Sequence, residues 1–588
     1  MERRPSVISK INPANSETLS LSASQFRRRR QKTVEAVKAI HCDSHVYTSE
    51  KEQTKSIKDA DLYMDLHKQI PMLHWFRGEE GLFWVAIGAD GAPFGKDDCA
   101  TAYLVSFLNL LIRVQSCNEN HLLLGANCEE DHPLMKAYPQ RLTKEMEEVE
   151  NKVLTTEKGY QVRFAIKLIP SDMTWASSFS GELNNAATYF SPFANVSQSN
   201  KHTMFGSIGG SDATWQPWSC EKRLAVARNV QNFKKRLKDP DKKQRGEVTK
   251  FIAQSKSRQE FVPPLGKFVS LIKSDPLHSI NNGWQQWFTH CLTVAMQHTN
   301  PNQLKAAVVL SDLPTSCPLV TFFNCVKECM KCGRLYKNFC CWFSEKRKKG
   351  LQFSYRFTGL ESKRFCWNFG LLIEVPLGIA NISSSIKVKL HALAFSALQL
   401  RNSGPLFSRV EISREQLVEL ESKCQLYFNT HALLLDGINP TTWTTGYAIP
   451  YSTQQLFKES GFGLGLNSMQ GREAKHIKLA AYVQNTCNIN KNQRRWMVFW
   501  HEYVSMVWLR ELDPHSITYR PEKKKACDSY IPKKVAEKNV LHCHCGLLKS
   551  NSGDYECPLC MSSTMKLVKE AARKGKISPA LKTLFDTV

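Results

Sequence analysis

The sequence contains no run of about 18 apolar residues, the length that a membrane-spanning helix needs, so we expect no transmembrane segment. Its first residues, Met1 to Ser6, include no apolar stretch of the secretory type, which argues against a signal peptide. The 20 cysteines are therefore expected in a reducing compartment, as core thiols or metal ligands rather than disulfides. The sequence also shows no internal repeat.

Two catalytic signatures are missing as well. There is no Gly-x-Ser-x-Gly nucleophile elbow and no Gly-x-x-x-x-Gly-Lys-Ser/Thr phosphate loop. The segment Phe462-Gly-Leu-Gly-Leu466 is only a weak glycine-rich turn. A serine hydrolase and a nucleotide-driven motor therefore have no support, and we expect no small-molecule substrate.

Positive charge is abundant. The 588 residues include 79 Lys and Arg against 54 Asp and Glu, a formal net charge of +25. Such an excess favours an anionic partner, first of all double-stranded DNA, although a generic basic nuclear protein fits it too. The cluster Arg27, Arg28, Arg29 and Arg30 is typical of a nuclear-localisation or nucleic-acid-binding segment, and a solvated charge run is equally compatible. We expect a nuclear protein.

The pattern of apolar residues along the chain predicts an α/β class with a large helical part. Short apolar runs predict buried strands at 83–87, 103–112, 121–125 and 162–169, whereas 180–190 and much of 265–435 and 468–512 read as helix. Residues 440–470, rich in Gly, Pro and Thr, read as loops. Cys220 to Lys256 reads as a basic helical surface that faces either DNA or solvent, and Lys234, Lys235 and Arg236 are its candidate DNA contacts.

Two cysteine pairs near the C-terminus predict a structural zinc site. Cys543 and Cys545 form the first pair, and Cys557 and Cys560 form the second, which has the Cys-x-x-Cys spacing of a zinc knuckle. Either of His542 and His544 could replace one sulfur, and four unliganded thiols are the alternative. A closed Zn²⁺ site of this kind would stabilise a small fold that lacks a core of its own.

Three carboxylates stand where a two-metal site would need them. Asp90 ends the run from Gly81, Asp172 follows the run from Gln161, and Glu473 lies at the predicted start of a helix. Carboxylates at strand ends and on a nearby helix can converge on two divalent ions about 3.5–4 Å apart. Acidic residues also follow strands by chance, so this pattern alone is weak.

Several segments around these carboxylates, in the same order, resemble the Transib-type transposases and the recombination-activating recombinases. The similar segments are Phe83–Ala92, Asn127–His132, Asp172 with Gly181–Phe190, Asp275–Asn282 and Ser468–Lys475. The resemblance is distant and extends over roughly residues 75 to 510.

The resemblance implies an RNase H-like catalytic core that a large, mainly helical insertion domain interrupts. Asp90, Asp172 and Glu473 would hold two Mg²⁺ or Mn²⁺ ions, and Arg472 and Lys475 would contact phosphate. The reaction would be DNA nicking and strand transfer at transposon ends, carried out by a homo-oligomer, expected to be a dimer. The expected segments are a disordered basic stretch (1–65), the first part of the core (70–200), the insertion (201–460), the last part of the core (461–512), a basic linker (513–540), the zinc module (541–562) and a basic tail (563–588).

Two zinc features of the family are absent. Thr188 to Asn195 contains no cysteine, and Ala432 to Lys475 contains no histidine. Three functions therefore stay open: a DDE-type transposase, a catalytically inactive DNA-binding protein that keeps the fold, and a zinc-stabilised scaffold that does not bind nucleic acid. Metal-dependent nicking separates the first two, and salt-sensitive DNA binding separates the third.

Overall fold

A computed structural model describes residues 60, 63–64, 67, 73–95, 98–126, 132–150, 152–237, 242–435, 437–484, 497–502 and 558–586. Arg27 to Arg30, the basic linker and three of the four predicted zinc ligands (Cys543, Cys545 and Cys557) lie outside these residues. The chain divides into two compact units. Unit 1 comprises residues 1–187, 218–273 and 466–522, and unit 2 comprises 188–217, 274–465 and 523–588.

The boundaries of the two units differ from those of the expected domains. The basic residues 218–273 belong to unit 1, with the sheet, although the sequence placed them in the insertion. The C-terminal residues belong to unit 2.

Unit 1 contains a five-stranded mixed sheet in the order β3-β2-β1-β5-β4. The strands are β1 (Leu82–Gly95), β2 (Asp98–Phe107), β3 (His121–Ala126), β4 (Leu154–Thr155) and β5 (Gln161–Leu168). β1, β2 and β3 form an antiparallel meander, and β5 runs parallel to β1 with Val85 opposite Ile166. The apolar runs that predicted strands at 83–87 and 121–125 lie in β1 and β3, and the run at 162–169 lies in β5 up to Leu168. The run at 103–112 is strand only as far as Phe107 and continues as a 3₁₀-helix, Leu108–Gln115.

Helices cover both faces of this sheet. On one face, Tyr103 packs its ring against Tyr138 of α1 (Pro133–Val149) and Trp175 of α2 (Met173–Ser180). On the other face, the neighbouring residues Ala102 and Leu104 pack with residues of α14 (Gln470–Gln484) and of the helical segment 497–502. Alternate residues of β2 thus face opposite layers, as the two-residue period of a strand requires.

The predicted helix at 180–190 is wrong, because the helix comes earlier. Asp172 caps the first turn of α2, and the helix ends at Gly181, whose φ of 67° places it in the left-handed region. Glycine adopts this conformation without steric cost, so it commonly terminates a helix. The next residues form turns and isolated bridges.

The basic stretch of unit 1 folds as two helices, α3 (Cys220–Arg236) and α4 (Lys242–Gln254), as predicted. Unit 2 is helical. Its helices are α5 (Pro276–Gln297), α6 (Pro301–Ala306), α7 (Pro318–Asn324), α8 (Gly333–Cys341), α9 (Gly359–Leu377), α10 (Ser384–Phe407), α11 (Arg414–Leu434), α12 (Pro440–Trp443), α13 (Ile449–Ser460), α15 (Pro558–Met561), α16 (Ser563–Lys574) and α17 (Pro579–Asp586). No helix among the described residues is long and apolar enough to span a membrane.

The prediction of loops at 440–470 is wrong in most of its length. Residues 440–460 form α12, a π-helical turn and α13 without interruption. Pro440 occupies the first turn of α12, where a helix tolerates proline because the missing N–H has no partner there, and Pro450 comes directly after the π-helical turn.

Aromatic side chains form the core of unit 2. Trp284, Trp287 and Phe288 of α5 contact the ring of Phe365 from α9, which also meets Phe357 at a centroid distance of 4.8 Å. The C-terminal helix α16 is built into this unit, because buried Asn429 of α11 donates a hydrogen bond to the carbonyl of Ala572 at 2.8 Å. Residues 563–574 of the predicted basic tail are therefore part of the fold of unit 2.

Candidate active site

The carboxyl ends of β1 and β5 lie at the same edge of the sheet, because the two strands are parallel neighbours. Asp90 lies in the part of β1 that extends beyond β5, opposite Ala102 of β2. It is described by its backbone alone, so its side chain lies outside what the structure describes. Asp172 follows the end of β5 at the start of α2.

Asp172 caps α2 with one oxygen. Its Oδ1 accepts a hydrogen bond from the backbone N–H of Trp175 at 2.7 Å, and the residue is half-buried. Within the described part of the chain, Oδ2 accepts no hydrogen bond. The helix therefore fixes the orientation of this carboxylate and leaves its second oxygen available to a ligand.

Glu473 lies in the first turn of α14 and is half-buried. Its backbone N–H donates to the carbonyl of Met469 at 2.9 Å, so it belongs to the regular part of this turn. The predicted start of a helix at this glutamate is confirmed.

The three chain segments that carry these carboxylates meet at Gly88. A Cβ on Gly88 would lie 2.8 Å from Nε of Arg472 and still closer to the carbonyl oxygen of Pro170. Only glycine allows so close an approach of β1, the end of β5 and the start of α14. Gly88 is two residues before Asp90, Pro170 is two before Asp172, and Arg472 immediately precedes Glu473.

Arg472 is inside the protein rather than on a DNA-binding surface. Its side chain is buried, and Nη2 donates to Ser106 Oγ at 3.0 Å and to the carbonyl of Ala86 at 3.4 Å. The expectation that Arg472 contacts phosphate is therefore corrected. Its guanidinium joins α14 to β1 and β2 instead.

Lys475 is also buried and forms an ion pair with Glu502. Lys478 approaches the same carboxylate at 3.2 Å. Burial lowers the pKa of Lys475 to about 8, although Glu502 acts in the opposite direction. The predicted phosphate contact by Lys475 is corrected too, because this ammonium holds α14 against the segment 497–502.

A second buried ionic cluster lies beyond the end of α2. Glu182 forms ion pairs with Arg223 of α3 and with Arg258, whose Nε lies 2.9 Å from Glu182 Oε2. Burial lowers the pKa of both arginines to about 9. Sequence reasoning missed this cluster because the three residues are far apart in the chain and each one alone resembles a surface charge.

The remaining predicted site residues are described only in part. Lys234, Lys235 and Arg236 form the last turn of α3, where Lys235 and Arg236 are exposed. Cys560 is half-buried in α15. Among the residues whose side chains are described, no group of three or more His, Cys, Asp or Glu is arranged to hold a metal ion.

No protein-family model matches this chain, and no curated protein matches it either.

Proposed function

We propose that this protein is a transposon-derived, DDE-type transposase or recombinase that nicks DNA and transfers strands by metal-dependent phosphoryl transfer. The observation that carries the proposal is the meeting of three segments at Gly88, since Asp90, Asp172 and Glu473 each lie within two residues of that contact. An RNase H-like core requires this arrangement of two strand-end carboxylates and one helix carboxylate. The sheet with helices on both faces is compatible with it.

The donor set fits Mg²⁺ or Mn²⁺. Hard divalent cations prefer carboxylate oxygens, and Asp172 offers an oxygen that its helix cap leaves open. When bound, two such ions would activate water or a 3′-hydroxyl and stabilise the leaving oxygen of the cut strand. The chain's own contribution is to hold the carboxylates at fixed positions through the Asp172 cap and the buried contacts of Arg472.

DNA is the proposed substrate, and the net charge of +25 supports a polyanionic partner. Nuclear location, a dimeric state, action at transposon ends and a structural Zn²⁺ on Cys543, Cys545, Cys557 and Cys560 complete the proposal. They rest on the sequence and on the resemblance described above.

The test is nicking of supercoiled DNA by the purified full chain with Mg²⁺ or Mn²⁺. We expect Asp90→Asn, Asp172→Asn and Glu473→Gln to abolish nicking while DNA binding persists. Asparagine is as good a helix cap as aspartate, so Asp172→Asn removes the charge and keeps the first turn of α2. Glu148→Gln, an exposed substitution on α1, is the matched control and should nick as the wild type does.

Two results would overturn the catalytic proposal. One is a wild-type protein that binds DNA but does not nick it with any of the divalent metals tested. This result favours the catalytically inactive DNA-binding protein. The other is triad variants that nick at the wild-type rate. Absence of salt-sensitive DNA binding would instead favour the scaffold.

A further inference from the structure

The helices α3 and α4 form a hairpin with a small core of its own. Val226 and Val230 of α3 pack against Val248 and Ile252 of α4. The rings of Phe233 and Phe251 stack at a centroid distance of 4.3 Å. This hairpin is thus a preformed element of unit 1 rather than a loose charged segment.

Buried polar contacts attach the hairpin and the segment that follows it to the end of α2. Besides the ion pairs of Glu182 with Arg223 and Arg258, Nη2 of Arg258 donates to Ser177 Oγ at 2.7 Å. The side chain of Gln259 donates to the carbonyl of Gly181, at the end of α2, at 3.3 Å. The orientation of the hairpin relative to α2 is therefore fixed.

The outward side of the hairpin is rich in positive charge. Its exposed basic residues are Lys222, Arg228, Lys235, Arg236, Arg245 and Lys250, against the exposed acidic residues Glu221 and Glu247. Arg228 and Lys235 are two turns apart on one face of α3, about 10 Å along its axis. Such a pair can reach different phosphates of one DNA strand.

Phe261 is an exposed aromatic residue beside this charge. Its side chain is 56% exposed, yet its backbone is held, because its N–H donates to the carbonyl of Gly181 at 2.8 Å. The ammonium of Lys234 lies 4.2 Å from the ring centroid. Val262, the next residue, is 49% exposed, so an apolar surface adjoins the basic one. A surface that only faces solvent has no use for the exposed apolar side chains of Phe261 and Val262.

We propose that the hairpin and Phe261 together form a binding surface for DNA that contains unpaired bases. The basic residues of the hairpin contact the phosphates, and the ring of Phe261 stacks on an unpaired base. Stacking on an aromatic side chain is available to every base, so the surface recognises the unpaired state rather than a sequence. The inference rests on the proposed function for its choice of DNA, but it concerns binding and requires no cleavage.

The experiment measures fluorescence anisotropy of the full chain in EDTA, so that no cleavage occurs. The two probes are a plain duplex and the same duplex with a short single-stranded gap. We expect Phe261→Ala to weaken binding to the gapped probe by about tenfold, as loss of one stacked base predicts, and to leave duplex binding unchanged. Phe261→Trp should restore the preference for the gap, whereas Phe261→Leu should not.

A charge variant tests the hairpin itself. Arg228→Gln with Lys235→Gln should weaken binding to both probes and reduce the slope of log affinity against log salt by about 0.9 for each phosphate that the variant no longer neutralises. Lys144→Gln with Lys152→Gln, two exposed lysines of unit 1 outside the hairpin, is the matched control and should bind as the wild type does.

The surface proposal fails if Phe261→Ala binds the gapped probe as the wild type does, or if the hairpin pair and the control pair behave alike. If the wild type nicks DNA while the variants give those results, the surface proposal fails and the proposed function stands. The reverse outcome, a Phe261 effect in a protein that never nicks, supports the surface and refutes the catalytic proposal.

Discussion

The cores of unit 1 and unit 2 both contain packed aromatic rings, but the described contacts of unit 1 also include buried ion pairs. Unit 1 buries ion pairs, such as Glu182 with its two arginines and Lys475 with Glu502, and it also buries Arg472. The core of unit 2 is a cluster of tryptophan and phenylalanine rings around Phe365.

These two kinds of contact differ in how strongly they depend on the orientation of the groups involved. A buried charge depends on the oriented groups that pair with it, whereas aromatic packing depends mainly on shape and volume. The directional contacts of unit 1 attach the end of α2, which Asp172 caps, to Arg223 and Arg258, and they attach α14, which carries Glu473, to β1, β2 and the segment 497–502. Unit 1 should therefore respond to a loss of charge at constant shape, and unit 2 should respond to a loss of volume.

The largest effect is expected from Glu182→Gln, which keeps the shape of the side chain and removes its charge. Arg223 and Arg258 then lose their carboxylate inside the protein, and we expect unit 1 to lose about 3–5 kcal/mol of unfolding free energy. Urea denaturation of the full chain measures it. The control is Glu260→Gln, whose partly exposed pair with Lys234 should cost about 1 kcal/mol or less. Equal costs for the two variants would contradict the role of the buried cluster.

Gly88→Ala should destabilise unit 1 by about 1–3 kcal/mol, because the added methyl group overlaps the carbonyl of Pro170 and the side chain of Arg472. Nicking should fall by more than the loss of folded protein accounts for, because the same overlap separates the segments that carry the carboxylates. In Gly246→Ala, on the exposed side of α4, the methyl group meets nothing within 4 Å. That control should instead stabilise the chain by up to about 1 kcal/mol. A neutral Gly88→Ala would mean that the three segments are not in close contact.

Asn429→Ala tests how α16 is held in unit 2. The substitution leaves the carbonyl of Ala572 without its buried donor, so we expect a loss of about 1–3 kcal/mol. Hydrogen exchange of residues 563–574 should accelerate while the sheet of unit 1 stays protected. Lys574→Ala, which removes an exposed pair with Glu570, should leave exchange unchanged.

The smallest effect is expected from Phe365→Leu in the aromatic core of unit 2. Leucine is smaller than phenylalanine by roughly one methylene group, which is worth about 0.8 kcal/mol of burial, so the cost of this small loss of volume should stay below about 1.5 kcal/mol. If urea denaturation shows Phe365→Leu to be more costly than Glu182→Gln, the contrast between the two units is wrong.

The sequence was sufficient to locate much of the sheet and the long helices. The apolar run around Trp84 became β1, because a central strand that is covered on both faces contains apolar residues at successive positions. Helical spacing likewise located α5, α10 and α11. These features are local, so a short window of sequence contains them.

Features that depend on distant residues could not be predicted in the same way. Arg472 and Lys475 have the composition of a phosphate-binding patch, and they are buried because Ser106 and Glu502 supply partners from other elements. The loop prediction at 440–470 failed because proline and glycine disfavour a helix only at certain positions within it. The places of Asp172 after β5 and of Glu473 at the start of a helix were therefore predictable, but the contact at Gly88 that joins their segments was not.

The sheet of unit 1 receives one of its two covering layers very late in synthesis. β1 to β5 are complete at Leu168, whereas the helix that covers Ala102 and Leu104 begins at Gln470, after most of unit 2 has been made. At about 5–20 residues per second, a ribosome needs tens of seconds to produce the intervening chain. During that time Ala102 and Leu104 lack this covering helix, so production of this protein should depend on chaperones that bind exposed β-structure during translation.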